Sequence, residues 1–62
     1  MKFRVKFEFK NNDLEVSDGK FHNDYLDNNG AGFSYEDACD VARELHYNSA
    51  ATNRNIRIVE ME

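Results

Sequence analysis

The segment that decides the fold reads KFRVKFEFK and runs from Lys2 to Lys10. Apolar and charged side chains alternate strictly along it, and the apolar ones are Phe3, Val5, Phe7 and Phe9. Side chains of a β-strand point alternately to the two faces of a sheet, so a period of two predicts a half-buried strand. We expect the four apolar side chains to face the core and the charged ones to face solvent or a partner.

Turn-forming residues follow this strand and predict a β-hairpin. Asn and Asp, which occupy residues 11–13, tolerate the left-handed backbone of tight turns. Leu14 and Val16 then alternate with polar residues, which predicts a short second strand that ends at the reversal signal Asp18-Gly19. Residues 21–26 alternate less regularly, so a third strand there is an open alternative. Residues 27–32, DNNGAG, have the composition of a loop.

Ser34 is predicted to begin a helix. Ser34 and Asp37 have the spacing of a capping box, in which the serine oxygen accepts a hydrogen bond from a free backbone amide. At about 100° per residue, one apolar stripe follows and should face the core; it consists of Ala38, Val41, Ala42 and Leu45. The helix should end between Tyr47 and Thr52, where Asn, Ser and Thr compete for backbone hydrogen bonds.

A final strand is predicted over residues 56–61, IRIVEM, after a connector at residues 53–55. The resulting order, ββ(β)αβ, predicts an α+β fold. In it, a small antiparallel sheet (a β-hairpin, with an optional third strand) and a C-terminal strand carry one helix packed on one face. A chain of 62 residues buries only about 60% of the surface that its unfolded form exposes, so residues 1–62 should form a single domain with a thin core.

Charge is segregated along the chain, whose formal net charge is −4. Residues 1–12 carry four cations against Glu8 alone, whereas residues 13–44 carry nine acids against Lys20 and Arg43. Such asymmetry bears on partners and solubility rather than on the fold. A single cysteine, Cys39, excludes an internal disulfide and fits a reducing compartment. With no signal sequence or membrane-spanning segment apparent, we expect a soluble cytoplasmic protein that does not enter a membrane.

Catalytic and metal-binding patterns are weak throughout the sequence. Cys39 and His46 lie seven residues apart on a helix, about 10 Å along its axis, too far to share one metal ion. A calcium loop beginning at Asp27 fails its template, because Ala31 and Ala38 occupy two ligand positions. No serine, histidine and acid form a recognisable catalytic set. We therefore expect a protein that is not an enzyme, with no catalytic residues, cofactor or metal.

An acidic, tyrosine-bearing surface is the leading candidate for a binding site. On the predicted helix, Glu36, Asp40 and Glu44 place like charges four residues apart, which costs a few tenths of a kcal/mol per pair. A basic protein partner would relieve that cost, although such acids also suit a helix N-terminus and a solvated face. Carboxylates steer a basic partner toward the site, and tyrosine rings supply area that is desolvated on binding. The predicted partner-binding residues are Asp24, Tyr25, Asp27, Glu36, Asp40, Glu44 and Tyr47.

Two alternative functions use other surfaces. The first is nucleic-acid binding through the charged side of the first strand, which carries Lys2, Arg4, Lys6 and Lys10. The acidic net charge disfavours it, as does our expectation that no aromatic side chain shares that face. The second is a structural or regulatory domain that self-associates as a homodimer through the open sheet face or an unpaired edge strand, which would enlarge a thin core.

Residues 33–38, FSYEDA, are followed by Ala42, Leu45 and the terminal segment 56–60. This pattern resembles one found in small bacteriophage and mobile-element accessory proteins, in which such a helix start packs on a hairpin and a short terminal strand closes the sheet. The resemblance implies a class of small acidic proteins that bind and inhibit host machinery, including anti-CRISPR and other anti-defence proteins. We therefore expect a phage-encoded inhibitor, acting in the host cytoplasm, whose acidic surface mimics nucleic acid and occupies a basic groove.

Overall fold

A computed structural model describes residues 1–61, which form three strands and one helix. The elements are β1 (Lys2–Asn11), β2 (His22–Leu26), α1 (Tyr35–His46) and β3 (Ala51–Met61). β1 is the central strand of a sheet with the order β2-β1-β3, and both neighbours run antiparallel to it. These elements confirm the predicted α+β fold, a small antiparallel sheet with one helix on one face and a C-terminal strand.

The core lies between β1 and α1, as the alternation of β1 predicts. Val5 is completely buried, and Phe7 is buried beside it. From the helix, Ala38 and Leu45 complete the buried cluster. Partly buried side chains then surround these four, namely Phe3, Phe9, Phe33, Val41, Ala42, Ile56 and Ile58. The apolar row of β1 and the apolar stripe of α1 therefore meet, and both predictions of core-facing residues are confirmed.

The helix begins and ends with side-chain hydrogen bonds to its free backbone groups. Ser34 Oγ accepts a hydrogen bond from the Asp37 amide at 3.1 Å, which confirms the predicted N-cap. At the other end, Asn53 Nδ2 of β3 donates to the Leu45 carbonyl at 2.8 Å. The helix ends at His46, immediately before the predicted range of 47–52. Within residues 1–61, no helix combines the length and apolar character needed to cross a bilayer.

The predicted second strand at residues 14–16 is wrong, and the partner of β1 on this side is β2 at residues 22–26. Residues 14–16 form turns instead, and the Leu14 side chain is 92% exposed. Asp13 explains the difference, because its side chain accepts a hydrogen bond from the Glu15 amide at 2.9 Å and its carbonyl accepts one from the Ser17 amide. These local bonds satisfy amides that would otherwise pair with β1.

The predicted connector at residues 53–55 is also wrong, because β3 runs unbroken through it. The register between β1 and β3 shifts between Lys6 and Glu8, which indicates a β-bulge with one extra residue in β3. Asn55, in the bulge, has a left-handed φ of 52°, a conformation that asparagine tolerates better than most residues. The bulge places Arg54 and Arg57 on the same side of the sheet, although they are three residues apart.

Removing the N-cap should destabilise the protein. Ser34→Ala leaves the Asp37 amide without its acceptor, so we expect the free energy of unfolding to fall by about 1 kcal/mol in urea denaturation. Ser49→Ala is the matched control, because the Ser49 hydroxyl makes no hydrogen bond within residues 1–61; its effect should stay within about 0.5 kcal/mol. Equal losses in the two variants would show that the cap contributes nothing.

Candidate functional site

A groove lies between β2 and α1 because the helix does not cover the whole sheet. Of the three described strands, α1 packs against β1 and β3 only. β2 pairs with β1 along one edge, and all five of its residues are exposed. The helix-facing side of β2, which carries His22, Asp24 and Leu26, therefore remains open to solvent, although Val5 and Phe7 of the neighbouring β1 are buried. We call this feature the β2–α1 groove.

The floor of the β2–α1 groove carries apolar side chains at both ends, and polar side chains from Asn28, Asn29, Asn48 and Asn53 lie among them. Leu26 lies at its middle, since it lines both the end formed with β1 and the end formed with the loop after β2. Its side chain is 41% exposed, because α1 does not extend over β2. The other apolar side chains lining the groove are Phe7, Phe9, Phe33, Val41, Leu45 and Ala51. A ligand in this groove would remove apolar surface from water.

Three carboxylates stand along the rim of the groove. Asp24 lies on β2 at one end, whereas Asp27 and Glu44 line the other end from the loop and the helix. Within residues 1–61, none of the three forms an ion pair. Because no internal cation neutralises them, the rim carries a negative potential that is available to a basic ligand.

The loop after β2 fixes the position of Asp27. Its Oδ1 accepts a hydrogen bond from the Gly30 amide at 3.1 Å, and its carbonyl accepts one from the Gly32 amide at 2.7 Å. Asn28 and Asn29 both adopt left-handed φ angles, of 57° and 56°. A Cβ at Gly32 would lie 2.7 Å from the Lys2 Cβ, so only glycine fits where the loop crosses β1. Asp27 is therefore presented by a turn with fixed geometry.

The seven predicted binding residues are not gathered on one surface. The side chains of Asp24, Asp27 and Glu44 line the β2–α1 groove, whereas the Tyr25 ring lies on the opposite side of the sheet, beside Arg4. The other three lie exposed on the outer side of the helix or at its C-cap, namely Glu36, Asp40 and Tyr47. Asp40 meets Arg43 at 3.5 Å in an exposed pair, which screens little of its charge. Sequence reasoning found the acids but missed the apolar floor, whose signal was the poorly alternating segment 21–26.

The opposite side of the sheet is strongly basic. It carries six of the eight lysine and arginine side chains, because β1 presents its charged row there and the bulge of β3 adds two arginines. These cations are Lys2, Arg4, Lys6, Lys10, Arg54 and Arg57. Glu8 is the one acid in the β1 row. We call this surface the basic sheet face.

Two aromatic rings share the basic sheet face, so the prediction that none would do so is wrong. Tyr25 pairs with Lys6 across the strands, and its ring lies 5.1 Å from the Arg4 guanidinium carbon. The Phe21 ring lies 3.6 Å from the Arg54 guanidinium carbon and 5.2 Å from Lys10 Nζ. Such distances are those of cation–π contacts. The error follows from misplacing the second strand, because β2 in register with β1 brings Tyr25 beside Lys6.

Glu8 is held by two donors from the bulge of β3. Arg54 donates to Glu8 Oε1 at 3.2 Å, and Asn55 Nδ2 donates to Glu8 Oε2. The hydrogen bond from Asn55, followed by the one from Arg54, lowers the pKa of Glu8 below its ordinary value. The one acid of the β1 row is therefore ionised and engaged within the sheet, which leaves the other cations of the face without a carboxylate partner among residues 1–61.

Comparisons of the chain with protein-family models, curated proteins and solved structures found no match. Within residues 1–61, no three side chains of the metal-ligating types come together. The β2–α1 groove and the basic sheet face, which differ in the sign of their charge, are therefore the two candidate binding surfaces.

Glu8 should give the protein a measurable acid sensitivity. Its folded-state pKa lies below the ordinary value of 4.5, so ionised Glu8 stabilises the fold above that pH, and this contribution is lost as the pH falls through the lowered pKa. In Glu8→Gln, the free energy of unfolding should therefore fall less than in the wild type between about pH 6 and about pH 3.

The matched control for this prediction is Glu60→Gln, because Glu60 makes no ion pair or side-chain hydrogen bond within residues 1–61. It should retain the acid sensitivity of the wild type when both are followed by chemical denaturation across the same pH series. If Glu8→Gln showed the full wild-type sensitivity, the contacts with Arg54 and Asn55 would not stabilise the ionised form.

Proposed function

We propose that this chain is a non-enzymatic binding protein whose β2–α1 groove receives a basic, partly apolar segment of a partner protein. The observation that carries the proposal is the arrangement of three carboxylates without internal ion pairs around an apolar floor. Carboxylates on the rim attract lysine and arginine side chains and orient the approaching segment. The floor at Leu26 supplies apolar area whose burial holds the segment once it has docked.

The outer side of the helix extends the same surface. Asp40 lies one helical turn before Glu44, and Tyr47 lies at the C-cap, 81% exposed. A basic partner that covers the groove would therefore also meet Asp40, while the Tyr47 ring offers further area to desolvate. Exposed tyrosine beside acids suits the periphery of such an interface, where aromatic rings contribute packing and a polar hydroxyl.

The partner that we propose is a host defence protein, and the proposed source of the chain is a bacteriophage. The resemblance over residues 33–60 supports a phage-encoded inhibitor of a host defence protein, of the anti-CRISPR kind, that acts in the host cytoplasm. Proteins that handle nucleic acid carry basic grooves, which an acidic surface can occupy by mimicking a phosphate backbone. The lone thiol of Cys39 is consistent with such a reducing compartment.

Neutralising the rim should slow association with the partner. Asp24→Asn with Glu44→Gln removes two rim charges while keeping side-chain size, so we expect a lower association rate and a flatter dependence of that rate on salt. The partner would first be captured from a bacterial lysate on immobilised wild-type protein and identified by mass spectrometry. Association of the purified partner would then be followed by surface plasmon resonance at several salt concentrations.

The matched control is Asp13→Asn with Glu15→Gln, which changes the net charge equally in the turn after β1. The asparagine introduced by Asp13→Asn keeps a side-chain oxygen that can accept the hydrogen bond from the amide of residue 15. The control should associate as the wild type does. Should both double variants slow association equally, overall charge rather than the groove would steer the partner.

Removing the apolar floor should speed dissociation. Leu26→Ser replaces an exposed apolar side chain that lies outside the buried core, so stability should change little while the partner loses its main apolar contact. Leu14→Ser is the control, because Leu14 is exposed in the turn after β1 and does not line the groove. A dissociation rate that rises only for Leu26→Ser supports docking in the groove, and unchanged dissociation of that variant would contradict it.

A further inference from the structure

A second binding surface lies on the side of the sheet opposite the β2–α1 groove. Six of the eight lysine and arginine side chains gather on the basic sheet face. Its one β1 acid, Glu8, is already engaged by Arg54 and Asn55. Most of the other acids lie elsewhere in the chain. This face is therefore strongly positive, although the net charge of the whole chain is negative. From this face we infer a binding site for single-stranded nucleic acid.

The cations of the basic sheet face are spaced to follow an extended polyanion. Arg4 and Lys6 lie at alternate positions of β1, about 6.6 Å apart along the strand. Arg57 lies opposite Lys6 on β3, and Lys10 continues the β1 row toward its end. Together with Lys2 at the start of β1, these are the cations of the face without a carboxylate partner among residues 1–61. Arg4, Lys6, Lys10 and Arg57 follow the central strand beyond Lys2, as an electrostatic track for a phosphate backbone does.

The Tyr25 ring favours a single strand over a duplex. It is 49% exposed on the basic sheet face, with the Arg4 guanidinium 5.1 Å from its centre. Single-stranded ligands bind by stacking unpaired bases on such rings beside a cationic track, and a base pair in a duplex offers no free face for this contact. Within residues 1–61, this face is built of strands and carries no helix that could enter a major groove.

Phe21 orders the cations at one end of the basic sheet face and is not itself exposed for stacking. Its ring is partly buried and lies against the Arg54 guanidinium at 3.6 Å and near Lys10. A guanidinium stacked on a ring and bonded to Glu8 has lost much of its freedom before any ligand arrives. The contact orders this end of the face, while Tyr25 is the ring exposed for a base.

The test uses a fluorescein-labelled 12-nucleotide oligothymidine and fluorescence anisotropy with the full chain. If Arg4, Lys6, Lys10 and Arg57 each neutralise one phosphate, the logarithm of the association constant should fall with the logarithm of salt with a slope of about −2.8. Raising the salt from about 50 to about 200 mM should then weaken binding roughly 50-fold. Lys6→Gln with Arg57→Gln should reduce the slope to about −1.4.

The matched charge control is Lys20→Gln with Arg43→Gln, which removes the two cations outside the basic sheet face. It has the same net charge as the Lys6 and Arg57 variant and should keep the wild-type slope. Tyr25→Leu should bind about five-fold more weakly or worse, whereas Tyr47→Leu, on the helix side, should bind as the wild type does. Circular dichroism checks that each variant retains its fold.

Several results would overturn the inference. They are no binding at low salt, an equal effect of the two charge variants, no effect of Tyr25→Leu, and equally tight binding of a 12-base-pair duplex. Equally tight binding of a polyglutamate peptide of the same charge would instead assign the face to an acidic protein segment. Asp24→Asn with Glu44→Gln, which tests the groove, should leave oligonucleotide binding no weaker, so the two proposals fail separately.

Discussion

The constraint on which this structure depends is that one helix is too narrow to cover three strands. A helix with its side chains is about 10 Å wide, whereas neighbouring strands lie about 4.8 Å apart. α1 therefore covers β1 and β3, and the outer strand β2 is left without a cover. In a larger domain a second helix would bury this strand, but residues 1–61 form only one helix. The groove beside Leu26 is the direct consequence.

The charge distribution follows from the central position of β1. Its alternating sequence sends every apolar side chain to the helix side and every charged one to the other side. β3 adds two arginines to the charged side only because the bulge at Asn55 restores their common orientation. The acids that line the groove come from the helix, from β2 and from the loop after β2, all of which border the helix side. The alternation of β1 thus separates a positive sheet face from a negative helix side. The net charge of −4 is only the difference between the two.

The sequence was sufficient where the determining contacts are local. The strand β1, the Ser34 cap and the apolar stripe of α1 follow from periodicity and from a hydrogen bond three residues away. The sequence was insufficient where the structure depends on which segments pair over long distances along the chain. The choice between residues 14–16 and 22–26 depends on which segment aligns with β1, and Asp13 settles it by bonding the amides after it. The face on which Tyr25 lies follows only once that alignment is known.

The two proposed binding surfaces are separated by a single layer of backbone. Because they are so close, a charged ligand bound to one surface should change the affinity of the other. Asp24 and Tyr25 are neighbours in β2 that face opposite sides of the sheet. Charges within about 10 Å of each other still interact at ordinary salt concentrations. A polyanion on the basic sheet face would cancel positive charge near the groove and so strengthen the attraction of the rim for a basic segment. By reciprocity, a basic segment in the groove would strengthen the hold on the polyanion to the same degree.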